Sequence, residues 1–204
     1  YYIGIVGKYG AQVQSVLKKA EALDIQAICP LHGPVLSENL EYYVKLYDTW
    51  SAYRPQKSGV CLCYASVYGH TEEAVLLLKK TLEAQGVETV CHDLNRGDWS
   101  DAVSDAFCYD RLVLASITYN GELFPSMKSF LAALTERGYR RRTVALMENG
   151  SWAPVANKLM AAAIEKWKDI TLVQNHVTVR SAVNENVCEQ VKLLANGLLF
   201  VCLK

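Results

Sequence analysis

The sequence predicts an α/β protein built on a doubly wound parallel sheet, and three observations carry that expectation. Strand-like and helix-like segments alternate from residue 58 onward. The strand-like runs, VCLCYA and LVLAS among them, are apolar throughout rather than alternating, as expected where both faces of a sheet are covered. The helical runs carry a single apolar stripe instead. Within 71–85, Ala74, Val75, Leu78 and Leu82 recur at the spacing of a helix laid on a sheet.

Residues 1–57 stand apart from that alternation. They offer a helix (about 11–23), a short strand (25–29), the turn Pro30-Leu31-His32-Gly33-Pro34 and a second helix (about 38–53). A segment of this size struggles to bury a core of its own, so it is expected to pack on a preceding domain or on the one that follows. Arg54-Pro55-Gln56-Lys57-Ser58-Gly59 reads as the linker, which divides the chain into 1–57 and 58–204. The second unit holds strands at 59–65, 87–93, 111–117, 142–148 and 170–179. Its helices lie at 71–85, 99–108, 125–137, 154–168 and 185–203. Gly86 and Gly138 end two of the helices. Pro125 and Pro154 stand at first-turn positions, where a missing N–H costs nothing. Five such β-α units match a flavodoxin-like five-stranded sheet of order 2-1-3-4-5.

Composition excludes several function classes. Twenty-one basic residues balance 21 acidic ones in 204, so nothing draws the chain electrostatically to nucleic acid or to an anionic membrane. No apolar run approaches the roughly 18 residues of a membrane span. The cysteines, Cys29, Cys61, Cys63, Cys91, Cys108, Cys188 and Cys202, form no C-x-x-C pair. Most sit in apolar patterns, where a free thiol behaves as a small hydrophobe. Cys61 and Cys63 share one strand face and read as buried thiols rather than a metal pair. Scattered thiols suit a reducing compartment, and a cytoplasmic location is expected. The opening YYIGIVGKYG has neither a start methionine nor a signal-peptide pattern and reads as the middle of something longer.

In a doubly wound sheet, ligands bind beyond the C-terminal strand ends. The first strand ends in Ser66-Val67-Tyr68-Gly69-His70-Thr71, rich in hydroxyls and free of lysine and arginine. Backbone N–H groups at a helix N-terminus bind phosphate, with Ser66 and Thr71 able to add hydroxyls and Gly69 allowing close approach. Neither a G-x-x-x-x-G-K-[ST] loop nor a three-glycine dinucleotide fingerprint is present. The acidic strand end of a phospho-acceptor receiver is missing too. Alone, the loop also reads as an ordinary Ser/Thr-capped helix start. The third strand ends in Ile117-Thr118-Tyr119-Asn120-Gly121 and the fourth in Glu148-Asn149-Gly150-Ser151-Trp152. Three polar, aromatic strand ends on one rim could read a polar heterocycle, with Tyr119 and Trp152 covering its faces.

The stretches YASVYGHTE, SITYNGELFPSM and ENGSWAP resemble the three flavin loops of flavodiiron proteins (A-type flavoproteins). The segment ending in CPLHGPVL resembles the end of the metallo-β-lactamase-like domain that precedes the flavodoxin domain in that family. The resemblance covers essentially the whole chain and implies FMN. Its phosphate would lie on Ser66, Val67, Tyr68, Gly69, His70 and Thr71. Its ring and ribityl chain would be bordered by Ile117, Thr118, Tyr119, Asn120, Gly121, Asn149, Gly150, Ser151 and Trp152. His70, Val67 and Ile117 replace the asparagine, methionine and proline frequent in the family. Glu122 and Glu148 are candidates for tuning the flavin, or plain surface charges.

A lone histidine in a Gly-Pro turn is ordinarily structural. The resemblance instead matches His32 to the last ligand of a diiron centre, a site belonging to the full-length parent. The remaining ligands would come from upstream, and His70, His92 and His176 match none of them. The parent is expected to reduce dioxygen or nitric oxide, whereas this chain keeps an FMN electron-transfer module with an incomplete diiron site. A rubredoxin or a flavin- or NADH-linked reductase would donate electrons, and a homodimer is implied. An independent flavodoxin-type carrier and a flavin-free interaction domain are the alternatives.

Overall fold

In the computed structural model, which describes residues 1–200, parallel strands run in the order β2-β1-β3-β5-β6. These are β1 (Lys57–Ala65), β2 (Thr89–Asp93), β3 (Tyr109–Tyr119), β5 (Arg140–Asn149) and β6 (Lys168–Leu172). The intervening helices are α4 (His70–Glu83), α5 (Trp99–Cys108), α6 (Pro125–Glu136), α7 (Ala156–Ile164) and α8 (Glu185–Phe200). The expected helix 185–203 runs into residues 201–203, outside the described residues.

The all-apolar strands have two faces to fill. Cys61, Cys63, Leu112, Leu114, Val144 and Leu146 pack toward α5, α6 and α7. Val60, Leu62, Val113, Ala115, Ala145 and Met147 pack toward α4 and α8. Ala74, Val75, Leu78 and Leu82 of α4 are all fully buried, as their spacing requires. Gly86 and Gly138 adopt left-handed φ of 78° and 69° just past their helices, a conformation glycine enters without steric cost.

Three parts of this sheet-bearing unit differ from expectation. The strand expected at 170–179 is two strands, β6 and β7 (Val177–Val179), which pair with successive stretches of β5. Asn120 and Gly121, at φ 53° and 71°, turn β3 back into a short antiparallel strand β4 (Glu122–Leu123). Helix α7 starts at Ala156, so Pro154 precedes the helix instead of occupying its first turn.

Before the sheet come α1 (Tyr2–Ile5), a 3-10 turn (Gly7–Tyr9), α2 (Gly10–Ala20) and α3 (Leu40–Ser51). The strand expected at 25–29 reduces to one antiparallel bridge, Ile28 to Leu36. Pro30 and Pro34 lack the N–H donors that a longer ladder would need. Gln14 of α2 donates to Asp48 Oδ1 and to Ser51 Oγ of α3, both at 2.8 Å. A Cβ on Gly10 would fall 2.4 Å from the Ser51 carbonyl oxygen and 2.6 Å from the Tyr53 ring. Gly10→Ala should therefore lower stability by roughly 1–3 kcal/mol, read as a shift of the urea midpoint. An unchanged midpoint would mean that α2 yields freely.

The N-terminal segment is clasped to the sheet through three consecutive arginines. Arg140 stacks 4.1 Å above the Tyr53 ring, and Arg141 donates to the Ala52 carbonyl at 2.9 Å. Arg142 is buried and donates to the carbonyls of Tyr53 and Tyr109, both at 2.7 Å, and to that of Phe107. The segment also holds a groove of about 720 Å³ between α2 and α3, lined by Val13, Val16, Leu17, Leu40 and Val44.

The described cysteines are all free, and the buried sulfurs of Cys61 and Cys63 lie 3.6 Å apart. His92 of β2 approaches Asp105 of α5 at 2.8 Å. Its pKa is raised, chiefly by a hydrogen bond with Cys61 and further by Asp105, against the opposing effect of burial. A raised folded-state pKa adds stability that is complete below the unfolded value and is lost as pH climbs through the folded one. The denaturation midpoint of His92→Gln should accordingly depend less on pH over that interval than the wild type's. Parallel pH profiles would remove His92 from the account.

Candidate functional site

The C-terminal ends of β1, β3, β5 and β7 open into one cavity of about 350 Å³. It is lined by Ser66, Val67, Tyr68, His70 and Thr71 from the first loop, and by Ile117 and Thr118 from the third strand. Asn149, Gly150 and Ser151 come from the fourth loop and Ser181 from the fifth. Gly69, Tyr119, Asn120, Gly121 and Trp152 do not line it. Trp152 is 93% exposed, and Tyr119 packs edge-on against Phe124 at 5.5 Å. Lysine, arginine, aspartate and glutamate are absent from the lining.

The first loop is shaped to leave donors free. Gly69 caps α4 at φ 88° and provides no side-chain cap, while the first N–H groups of any helix lack intrahelical acceptors. Nothing lies within 4 Å of where a Cβ on Gly69 would stand. Thr71, in the first turn, is 2% exposed, and its hydroxyl has no hydrogen-bond partner. A buried hydroxyl of this kind is costly unless a ligand satisfies it. The loop itself is braced: the Gly69 N–H donates to Ser66 Oγ at 3.2 Å, and Asn95 Nδ2 donates to the Ser66 carbonyl at 2.8 Å. Asn95 is held in turn by the Ser126 hydroxyl at 2.6 Å.

The other walls are tied to one another. Thr118 Oγ1 accepts the N–H groups of Val155 and Ala156 at 3.0 and 3.2 Å, capping α7 from a neighbouring strand. A Cβ on Gly150 would lie 3.0 Å from the Pro154 Cα and 3.3 Å from that same Thr118 oxygen. Of the two carboxylates weighed as flavin tuners, Glu122 is exposed and pairs with Lys128 at 2.8 Å. Glu148 is buried instead, accepting from the Asn157 N–H and the Thr178 hydroxyl, each at 2.9 Å. It is neither a surface charge nor part of the cavity wall.

Ser181 is the lining residue that sequence reasoning missed. It follows β7, whose existence as a separate strand was hidden within an unbroken β-like run. Asn120-Gly121 did carry a readable signal, since an Asn-Gly pair between β-rich segments marks a tight hairpin turn.

No family model matches the sequence. A type A flavoprotein of Rhodobacter capsulatus is 25% identical over 177 residues, covering 82% of this chain and 40% of that protein. Rubredoxin oxygen:oxidoreductase from Desulfovibrio gigas superposes with a TM-score of 0.87 at 19% identity, covering 98% of this chain and 51% of that one. The flavodiiron protein from Giardia intestinalis gives 0.84 at 22% identity, covering 99% and 51%. The likeness establishes the fold. The chain spans between 33% and 49% of the length of the first curated relatives it matches.

His32, matched by resemblance to a metal ligand, sits on an exposed turn with its ring 6.3 Å from that of Tyr1. Among the described residues, no group of three or more His, Cys, Asp or Glu side chains could hold a metal ion. No helix among them is long and apolar enough to cross a membrane.

Proposed function

We propose that the cavity binds FMN and that this chain is an electron-transfer module of a flavodiiron-type oxygen or nitric oxide reductase. The unpartnered, buried hydroxyl of Thr71 at the start of α4, which has no side-chain cap, carries the reading. A phosphate monoester supplies the acceptors that this hydroxyl and the first helical N–H groups require, with the helix dipole in place of fixed positive charge. Ser66, Val67, Tyr68, His70 and Thr71 would hold the phosphate, with Gly69, which does not line the cavity, in the turn among them. Ile117, Thr118, Asn149, Gly150 and Ser151 would border the ribityl chain and ring, with Tyr119, Asn120, Gly121 and Trp152 outside the cavity wall. FMN, when bound, accepts and passes on electrons singly or in pairs. The polypeptide's part is to bind and orient it, and lysine, arginine, aspartate and glutamate are absent from the cavity lining that would surround the flavin.

Residues 1–57 are assigned to the end of a metallo-β-lactamase-like domain, and the open apolar groove between α2 and α3 supports a preceding domain packed there. The described residues do not by themselves fit a diiron centre. Rubredoxin or a flavin- or NADH-linked reductase would deliver electrons, with the parent protein a homodimer. The location assigned is cytoplasmic.

The test is direct. Purified protein should show flavin absorption bands and release equimolar FMN on heating. A colourless protein that also refuses added FMN would defeat this reading and leave the flavodoxin fold serving as an interaction domain.

A further inference from the structure

Ser181 holds a conformation that its chemistry does not favour. Its φ is 71°, in the left-handed region that serine enters less readily than glycine, asparagine or aspartate. The Ala182 N–H donates back to the Arg180 carbonyl at 3.1 Å across it. A two-residue return of this kind about a positive φ is the rare, strained form of the γ-turn. Such strain persists only where surrounding contacts over-determine it, and here they come from the cavity's fourth loop. Ser181 Oγ and Ser151 Oγ lie 3.0 Å apart, Asn149 Nδ2 donates to the Ser181 carbonyl at 3.4 Å, and the Gly150 N–H donates to the Val179 carbonyl at 3.0 Å. The turn therefore sets a hydroxyl pair, Ser151 and Ser181, at the end of the cavity away from α4.

Strand order gives the reach. From β1 to β7 there are three lateral steps, β1 to β3, β3 to β5 and β5 to β7. At about 4.8 Å a step, the end of β7, which Ser181 follows, lies roughly 14 Å across the sheet from the end of β1, which leads into the Thr71 loop. Free phosphate cannot span that distance, whereas a phosphate monoester bearing a chain and a heterocycle can. Resting on the FMN reading above, we propose that Ser181 is a ligand-contacting residue that hydrogen-bonds the non-phosphate part of the flavin, with Ser151 fixing its hydroxyl.

FMN and riboflavin titrations of the apoprotein separate this contact from phosphate binding. Ser181→Ala should weaken both flavins by the same factor, about tenfold for one lost hydrogen bond. Thr71→Ala should weaken FMN far more than riboflavin. Ser181→Gly adopts φ 71° without strain, so it provides a folded variant lacking the hydroxyl and should show the same parallel loss. If wild type binds FMN while both Ser181 variants bind both flavins as tightly, the Ser181 assignment is overturned and the FMN reading stands. A loss confined to FMN would place Ser181 at the phosphate and overturn it equally. If wild type binds neither flavin, the FMN reading fails and takes this one with it.

Discussion

Thr71→Asp is expected to weaken FMN binding severely while leaving the protein folded. The substituted carboxylate would stand in the first turn of α4, where Thr71 is buried and its hydroxyl lacks a partner. Negative charge near a helix N-terminus is favourable, and the carboxylate can itself accept the free N–H groups, so the helix should persist. Against a phosphate the same charge is repulsive. Two like charges about 4 Å apart at an effective dielectric constant near 20 oppose one another by about 4 kcal/mol. That corresponds to roughly a thousandfold loss of affinity. Quenching of flavin fluorescence on titration reads the loss, and far-ultraviolet circular dichroism reads the fold. Wild-type affinity in a folded Thr71→Asp protein would put the phosphate somewhere other than the start of α4.

The second large effect is expected at Arg142. Its guanidinium is buried, with a pKa held below the ordinary arginine value chiefly by that burial, and it is satisfied by main-chain carbonyls. Besides those of its neighbours Arg140 and Arg141, the carbonyls belong to Tyr53 before β1 and to Phe107 and Tyr109 at the junction of α5 with β3. Arg142→Leu would fill much of the space and leave these acceptors bare, at about 1–3 kcal/mol for each that water cannot reach. A total loss on the order of 4 kcal/mol follows, large for a single substitution. Arg142→Lys should recover only part of it, because one ammonium cannot reproduce a planar fork of donors. Urea denaturation measures both. A loss below about 1 kcal/mol in Arg142→Leu would show that the carbonyls are rehydrated and that the arginine clasp is dispensable.

The contrast between Thr71 and Ser181 shows what the sequence could disclose. A strand, a short hydroxyl-rich loop and a helix start occur in succession at residues 60–75, so the position of Thr71 in the fold follows from local pattern alone. The walls at Ile117, Thr118, Asn149, Gly150 and Ser151 were legible for the same reason, each lying where a strand stops. Ser181 was not, because the break between β6 and β7 is a property of pairing. Both strands lie beside β5, Val144 facing Leu172 and Met147 facing Val177, and the four residues between them have no signature that hydrophobic periodicity detects. Residues 25–29 failed in the opposite sense. They are β-like in composition, yet only Leu36 meets them, and a strand without a neighbour is not a strand. The arginine clasp escaped notice too, since an Arg-Arg-Arg run ordinarily signals a solvated surface, not a buried donor set for main-chain carbonyls.

Thr118 supports two structures at once: it forms cavity wall and it holds the first N–H groups of α7, close by a glycine that leaves it room. Glu148 and Asn95 similarly join segments far apart in sequence. The rim is thus poorly divisible into exchangeable parts. Grafting the third loop of a relative without its Thr118 equivalent would loosen a helix that the graft never touches. Drift among chains of this fold that keep the Thr118 contacts should accordingly favour paired replacements across loops, and recombination breakpoints between β3 and α7 should be tolerated less than breakpoints placed after α8.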